Sequence, residues 1–169
     1  MNWQNGVVPI KRNDQFKIYI AGSYSAYGID FERNKRAGIK FCSALLKRSK
    51  GEIIPFCPWL DWAFLWFEPD LTVEEMYSYS MAWLEVSDAI FVLPNSGKSK
   101  GTQAEIKRAK ELGIPVIYTT GDFENDLTKI AYTSREIIEG KEQIRKNPLT
   151  YADKNLTPNE WFFRKGKHE

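Results

Sequence analysis

Apolar and polar positions follow two different periods along the chain, and the period changes at regular intervals. Runs of consecutive apolar residues, typical of buried strands, predict strands at 17–21, 52–56, 88–93 and 114–118. Between and after them, apolar residues recur at three- and four-residue steps, which predicts amphipathic helices over 31–49, 73–87, 102–112 and 127–140. This alternation predicts a doubly wound α/β fold, in which helices cover both faces of a parallel sheet of four to five strands.

The segment after the second predicted strand departs from this pattern. Pro55, Pro58 and Pro69 exclude a long helix there, and aromatic residues crowd around them, so we expect an irregular excursion over the strand ends. Thr72 and Glu75 have capping-box spacing, which predicts that a helix begins at 73. The pattern has no internal repeat. We therefore expect a single domain over 1–169, with a core at 17–140, a polar leader at 1–16 and a polar tail at 141–169.

The amino-acid composition limits the kinds of partner that the protein is expected to bind and the cell compartment in which it is expected to act. The 169 residues are 43% hydrophobic, enough to fill one core, and the net charge of +2 gives no field that would collect nucleic acid. No apolar run has the length of a membrane span and the N-terminus has no secretory pattern, so we expect no membrane partner and a cytoplasmic protein. Two cysteines and one histidine cannot form a Cys/His cluster, so we expect no metal site of that kind.

Three segments follow predicted strands, where a doubly wound sheet binds ligands. The first, Gly22-Ser23-Tyr24-Ser25, would present backbone N–H groups and hydroxyls to a phosphate or a sugar, or would be an ordinary turn. In the second, Trp59 and Trp62 would stack on a nucleobase while Asp61 bonds its edge, or the aromatics would form a lid or a subunit contact.

The third segment contains Ser99, Gly101, Thr102 and Glu105. Thr102 and Glu105 have the spacing of a capping box, so the glutamate would simply cap a helix. In the alternative, a carboxylate in the first helical turn stays ionised beside the positive end of the dipole and acts as a nucleophile at the edge of the sheet. Spacing alone favours the cap.

A family resemblance is carried by three segments: KIYIAGSYSA, GEIIPFCPWLDW and MAWLEVSDAIFVLPNSGKSKGTQAEIKRAKELGIPVIY. They resemble the nucleoside 2-deoxyribosyltransferase-like superfamily, which includes deoxyribosyltransferases, deoxynucleoside 5′-monophosphate N-glycosidases and several phage-borne relatives. The resemblance covers residues 17–118 and implies that Glu105 attacks the anomeric carbon and forms a glycosyl-enzyme. It also implies a nucleoside or nucleotide substrate, a reaction that needs no metal or organic cofactor, a homodimer or larger homo-oligomer and, for a phage protein, the host cytoplasm.

The resemblance also implies where the substrate phosphate binds, and it shows one position at which this chain differs from the family pattern. Transferases of free nucleosides carry Asp six residues before the nucleophile and monophosphate hydrolases carry Ser, so Ser99 implies a 5′-phosphorylated substrate. Active relatives usually carry Asp where this chain has Ser80, and Asp61 and Tyr77 are candidates to replace it in handling the base. Ser80 keeps a second interpretation open, a nucleotide-binding sensor or sequestering protein without turnover. A third is an interaction module whose tail, 161–163, docks a partner.

Overall fold

Four short parallel strands form one sheet. The structure, a computed structural model, describes residues 15–23, 29–61 and 63–146. Its strands are β1 (Phe16–Ala21), β2 (Ile53–Phe56), β3 (Ala89–Val92) and β4 (Val116–Tyr118), in the spatial order β2-β1-β3-β4. Every neighbouring pair is parallel. The predicted parallel sheet is confirmed.

Helices cover both faces of this sheet. They are α1 (Ile29–Arg48), α2 (Pro58–Asp61), α3 (Phe64–Phe67), α4 (Val73–Glu85), α5 (Lys100–Glu111) and α6 (Phe123–Lys146). Successive strand residues point to opposite faces. Ile18 and Ile20 accordingly belong to the core cluster that contains residues of α1 and α6, whereas Tyr19 and Ala21 belong to the cluster that contains residues of α4 and α5. The doubly wound α/β class follows from this two-sided cover.

Some predicted boundaries need correction. The capping box of Thr72 and Glu75 is present and α4 begins where the pattern places it. The excursion after β2 contains two one-turn helices, because Pro58 takes the first helical position, where proline needs no N–H partner. Helix α5 begins earlier than predicted, with Ser99 as its N-cap, and α6 continues past 140 to Lys146. The leader through 14 and the tail from 147 lie outside the described residues.

The two central strands end side by side at the point where the topology reverses. From β1 the chain crosses to β2 through α1, and from β3 it crosses to β4 through α5 on the other face. The Leu93 N–H donates to the Ala21 carbonyl at 2.9 Å, so the ladder between β1 and β3 extends to this edge. Ligands of doubly wound sheets bind in the crevice outside such a reversal.

At the opposite ends of the central strands, an acidic side chain bonds both the backbone of the sheet and a helix. Asp88 accepts a hydrogen bond from the Lys17 N–H at 2.7 Å and forms an ion pair with Lys141 of α6. Asp88 therefore stabilises the sheet far from the reversal. No helix in the described ranges is long and apolar enough to cross a bilayer.

Candidate functional site

Glu105 is a buried carboxylate on α5 that is held at one oxygen. Its residue surface is 8% exposed. The Tyr19 hydroxyl on β1 donates to Glu105 Oε1 at 2.7 Å. The second oxygen, Oε2, is buried and has no hydrogen-bond partner among the described residues. Because a buried polar atom without a partner costs free energy, one that persists calls for an explanation such as a ligand or a catalytic role.

Burial changes the charge that we expected on this group. Desolvation raises the pKa of Glu105 to about 7, against the opposing effect of the Tyr19 hydrogen bond. The expectation of a carboxylate kept ionised by the first helical turn is therefore wrong. Ser99 is the cap, which places Glu105 in the second turn, and the effect of the helix dipole is largely confined to the first. At neutral pH a large fraction of Glu105 is protonated.

The predicted capping box of Thr102 and Glu105 is likewise wrong. The Ser99 side chain accepts from the Thr102 N–H at 3.5 Å, and Glu105 bonds Tyr19 instead of the backbone of Thr102. Thr102 is 1% exposed, and its Oγ1 also has no partner among the described residues. Residues three apart on a helix are neighbours, so α5 carries two unsatisfied buried oxygens on one side.

Helix α4 lies against the beginning of α5. The Tyr77 hydroxyl donates to the Gly101 carbonyl at 3.1 Å. Burial and the nearby Glu105 carboxylate raise the pKa of Tyr77. Ser80 follows Tyr77 by one turn and is half-buried. The structure thus brings Tyr19, Tyr77 and Glu105 together on one face of the sheet.

A cavity of about 590 Å³ opens on the other side of the reversal. Its lining residues are Ser23, Asp30, Arg33, Asn34, Ala37, Trp59, Leu93, Pro94, Asn95 and Ser96. Ser96 joins its two walls, because the Ser23 N–H donates to Ser96 Oγ at 3.1 Å. Asn95 adopts a positive φ of 61°, a conformation that asparagine tolerates better than most residues, and so turns the chain away from β3. Glu105 is not among the residues that line this cavity.

Trp59 occupies the core instead of offering a stacking surface. The indole reaches the cavity but is only 2% exposed, which leaves no open ring face for a base. A Cβ added at Gly22 would lie 2.5 Å from the indole, and one added at Gly38 would lie 2.7 Å from it. Gly22 is therefore required by the close approach of Trp59. Because Trp59 packs in the cluster of α1 and α6, it also lies on the opposite face from Tyr19.

Asp61 ends α2 in a partly buried position. Its Oδ2 has no hydrogen-bond partner in the described part of the chain, and burial raises the pKa of Asp61 to about 6. The charge of Asp61 has a small raising effect on the pKa of Cys57. The Cys42 thiol donates to Cys57, which lowers the pKa of Cys57 and raises that of Cys42. Within the described residues, no hydrogen bond joins Asp61 to Glu105.

Three predicted binding residues, Tyr24, Ser25 and Trp62, lie outside the described residues. Across the described ranges, no group of three His, Cys, Asp or Glu side chains gathers as metal ligands would.

A family model matches residues 16–118, more than half of the chain, and its family is described as a domain of unknown function (DUF4406). The chain belongs to the DUF4406 family. No curated protein and no solved structure matches it. The DUF4406 match begins and ends with the sheet, at the first residue of β1 and the last of β4, and it includes Glu105 and its neighbours. Helix α6 lies beyond it.

Two side chains of this DUF4406 site escaped the sequence pattern. Tyr19 lies inside a strand whose apolar run predicts only burial, but a buried tyrosine hydroxyl needs a partner, and this requirement was the available signal. Ser96 lies in a turn whose composition indicates only a change of direction. Its contact with Ser23 spans 73 residues in sequence, and no local pattern reports such a pairing.

Proposed function

We propose that the protein cleaves or exchanges the N-glycosidic bond of a (deoxy)nucleoside 5′-monophosphate, with Glu105 as the nucleophile. The observation that carries this proposal is the buried carboxylate held at Oε1 by Tyr19, with Oε2 unpartnered among the described residues. The resemblance to nucleoside 2-deoxyribosyltransferase-like enzymes assigns the same glutamate.

The proposed reaction needs one carboxylate as the nucleophile and one acceptor of the sugar, either water or a second base. Glu105 Oε2 forms a bond to the anomeric carbon, the bond from that carbon to the base nitrogen breaks, and the base leaves with the electron pair and takes up a proton. Water, or a second base, then displaces the carboxylate from the sugar. A raised pKa supports this role, because the ionised fraction of Glu105 is more basic than an exposed carboxylate.

The beginning of α5 supports the phosphate and sugar contacts. Ser99, Gly101 and Thr102 provide N-terminal backbone and hydroxyl groups there, where the helix dipole favours an anion. A hydroxyl at Ser99 also avoids the repulsion that an aspartate would exert on a phosphate dianion. Ser23 approaches from β1 across the reversal.

The second candidate function is a nucleotide-binding protein without turnover. Two points favour it. The resemblance implies an Asp at the position of Ser80, and burial raises the pKa of Glu105 to about 7, which reduces its nucleophilic, ionised fraction at neutral pH. Under this alternative the ligand contacts remain and no base is released.

We further propose that the protein acts in the cytoplasm as a homo-oligomer. Free thiols at Cys42 and Cys57 are stable in a reducing compartment. Phe64 and Phe67 of α3 are 45% and 81% exposed, and exposed aromatic side chains are enriched in protein interfaces. Light scattering of the protein and of Phe67→Ser tests the assembly. A monomeric wild type contradicts it.

The test of the enzymatic function is base release. The protein, Glu105→Ala and Glu105→Gln are incubated with a panel of deoxynucleoside and ribonucleoside 5′-monophosphates and free nucleosides, with and without an acceptor base. Chromatography measures the released base. Glu111→Gln is the matched control, because Glu111 is an exposed carboxylate on the same helix.

We expect release by the wild type and by Glu111→Gln, a preference for monophosphates, and none by the two Glu105 variants. If the wild type releases no base but a monophosphate raises its melting temperature, the binding protein is the better description. Release that survives in both Glu105 variants contradicts the nucleophile.

A further inference from the structure

The proposed reaction needs a proton at the departing base, and the resemblance implies an aspartate on α4 that would handle it. Ser80 occupies that position on α4. A serine hydroxyl is too weak an acid to protonate a leaving base. A stronger acid close to Glu105 would supply that proton, an inference that rests on the proposed function.

Tyr77 is the acidic group that α4 places over α5. It precedes Ser80 by one turn of the same helix, so the two side chains are neighbours. The Tyr77 hydroxyl donates to the Gly101 carbonyl at 3.1 Å, and a Cβ added at Gly101 would lie 3.9 Å from the Tyr77 ring. Gly101 precedes Glu105 by four residues, one helical turn. The phenol thus lies over the turn of α5 that leads to Glu105 and to the unpartnered Thr102 Oγ1.

We propose that Tyr77 is the catalytic acid that protonates the departing base. As Glu105 Oε2 bonds the anomeric carbon, the bond to the base nitrogen breaks and its electron pair stays on the base. The Tyr77 proton passes to the base and leaves a phenolate. When water then attacks the sugar and frees Glu105, the phenolate takes the proton of that water. The net reaction consumes one water and releases a neutral base and a sugar phosphate.

The electrostatics of the site assist this transfer. Burial raises the pKa of Tyr77, and the carboxylate of Glu105 raises it further by disfavouring a phenolate there. Attack on the sugar converts that carboxylate into a neutral ester. The repulsion therefore disappears as the base departs, and Tyr77 becomes a stronger acid when its proton is needed. Rotation of the hydroxyl away from Gly101 leaves that carbonyl with its helical N–H partner.

The experiment compares leaving groups that need a proton with leaving groups that do not. For a purine substrate the pair is guanosine 5′-monophosphate and its N7-methylated form, in either sugar series, because the methylated base departs as a neutral molecule. For a pyrimidine substrate the pair is the uracil nucleotide and its 5-fluoro derivative, which has the more acidic base. Single-turnover rates are measured for the wild type, Tyr77→Phe, Asp61→Asn and Tyr79→Phe. Tyr79 is the matched control, because it lies on the same helix and its ring packs against Phe56, Phe64 and Trp83.

We expect Tyr77→Phe to lose about 100- to 10,000-fold on the unmodified nucleotide, the usual contribution of general acid catalysis. On the activated nucleotide the loss should be at least about tenfold smaller, and Tyr79→Phe should lose little on either. Thermal melting checks that Tyr77→Phe remains folded.

Equal losses of Tyr77→Phe on the two nucleotides overturn the role of Tyr77, and so does the leaving-group dependence if it appears in Asp61→Asn instead. Both results leave a Glu105-dependent enzyme intact. A wild type that is inert on both nucleotides, or activity that persists without Glu105, contradicts the proposed function itself.

Discussion

Replacement of Glu105 by glutamine should make the protein more stable, and more so at higher pH. Glutamine has nearly the same shape as a protonated glutamate, and its amide oxygen can still accept from Tyr19. It cannot ionise. The variant therefore removes the cost of a buried charge while it keeps the volume and the hydrogen bond.

The magnitude is set by the pKa. One pKa unit corresponds to about 1.4 kcal/mol. Because Glu105 titrates near 7 in the folded protein and near 4.5 when exposed, the folded state binds the proton more tightly. Stability is not reduced by this group below pH 4.5, and it is lost progressively as the pH rises to about 7. The pH-dependent advantage of Glu105→Gln should be about 1 kcal/mol at pH 5 and about 3 kcal/mol at pH 8.

Urea unfolding of both proteins at pH 5 and pH 8 measures this difference, since a constant effect of the amide cancels between the two pH values. The difference in melting temperature between the variant and the wild type should be about 4 to 8 °C larger at pH 8 than at pH 5. Glu111→Gln is the control, because exposed ion pairs such as those of Glu111 contribute little to stability. A difference that stays the same at pH 5 and pH 8 would refute the burial of an ionisable Glu105.

Three further outcomes are expected. Base release should fall about tenfold per pH unit below pH 7 in kcat/KM, because only the ionised Glu105 attacks; a profile that is flat from pH 5 to 8 contradicts this. Gly38→Ala should destabilise the protein by about 1–3 kcal/mol in urea unfolding despite the better helix propensity of alanine, and the loss should disappear in a Trp59→Phe background if the indole is its cause. Asp126→Ala should cost about 1–3 kcal/mol in the same assay, because the Thr120 N–H and hydroxyl lose their acceptor; a change below about 0.5 kcal/mol would be inconsistent with that contact.

The fold could be predicted from the sequence because its determinants are local. Consecutive apolar residues specify β1 and β3, and the capping box of Thr72 specifies where α4 begins. The boundary of α5 was misplaced because Ser99 and Thr102 are both good N-cap residues, and only the packing of α5 selects between them.

The site was less predictable because it depends on which face of the sheet each side chain reaches. The spacing of Glu105 favoured a helix cap and only the resemblance singled it out as a candidate nucleophile, and its hydrogen-bond partner Tyr19 lies 86 residues away in sequence. Trp59 looked like a binding residue because aromatic density in a proline-rich segment indicates either a ligand surface or a core contact. Its neighbours Gly22 and Gly38, which are far away in sequence, decide for the core.

Helix α6 lies outside the span that the family model matches, but it is part of the folded core. Ile18 and Phe41 lie within the matched span, yet they share their core cluster with Leu127, Ile130 and Ile137 of α6, which lies beyond it. A protein that ended at Tyr118 would expose this apolar surface to water. The family match therefore covers the sheet and the helices between its strands. The segment that buries the core completely is longer, because it includes α6.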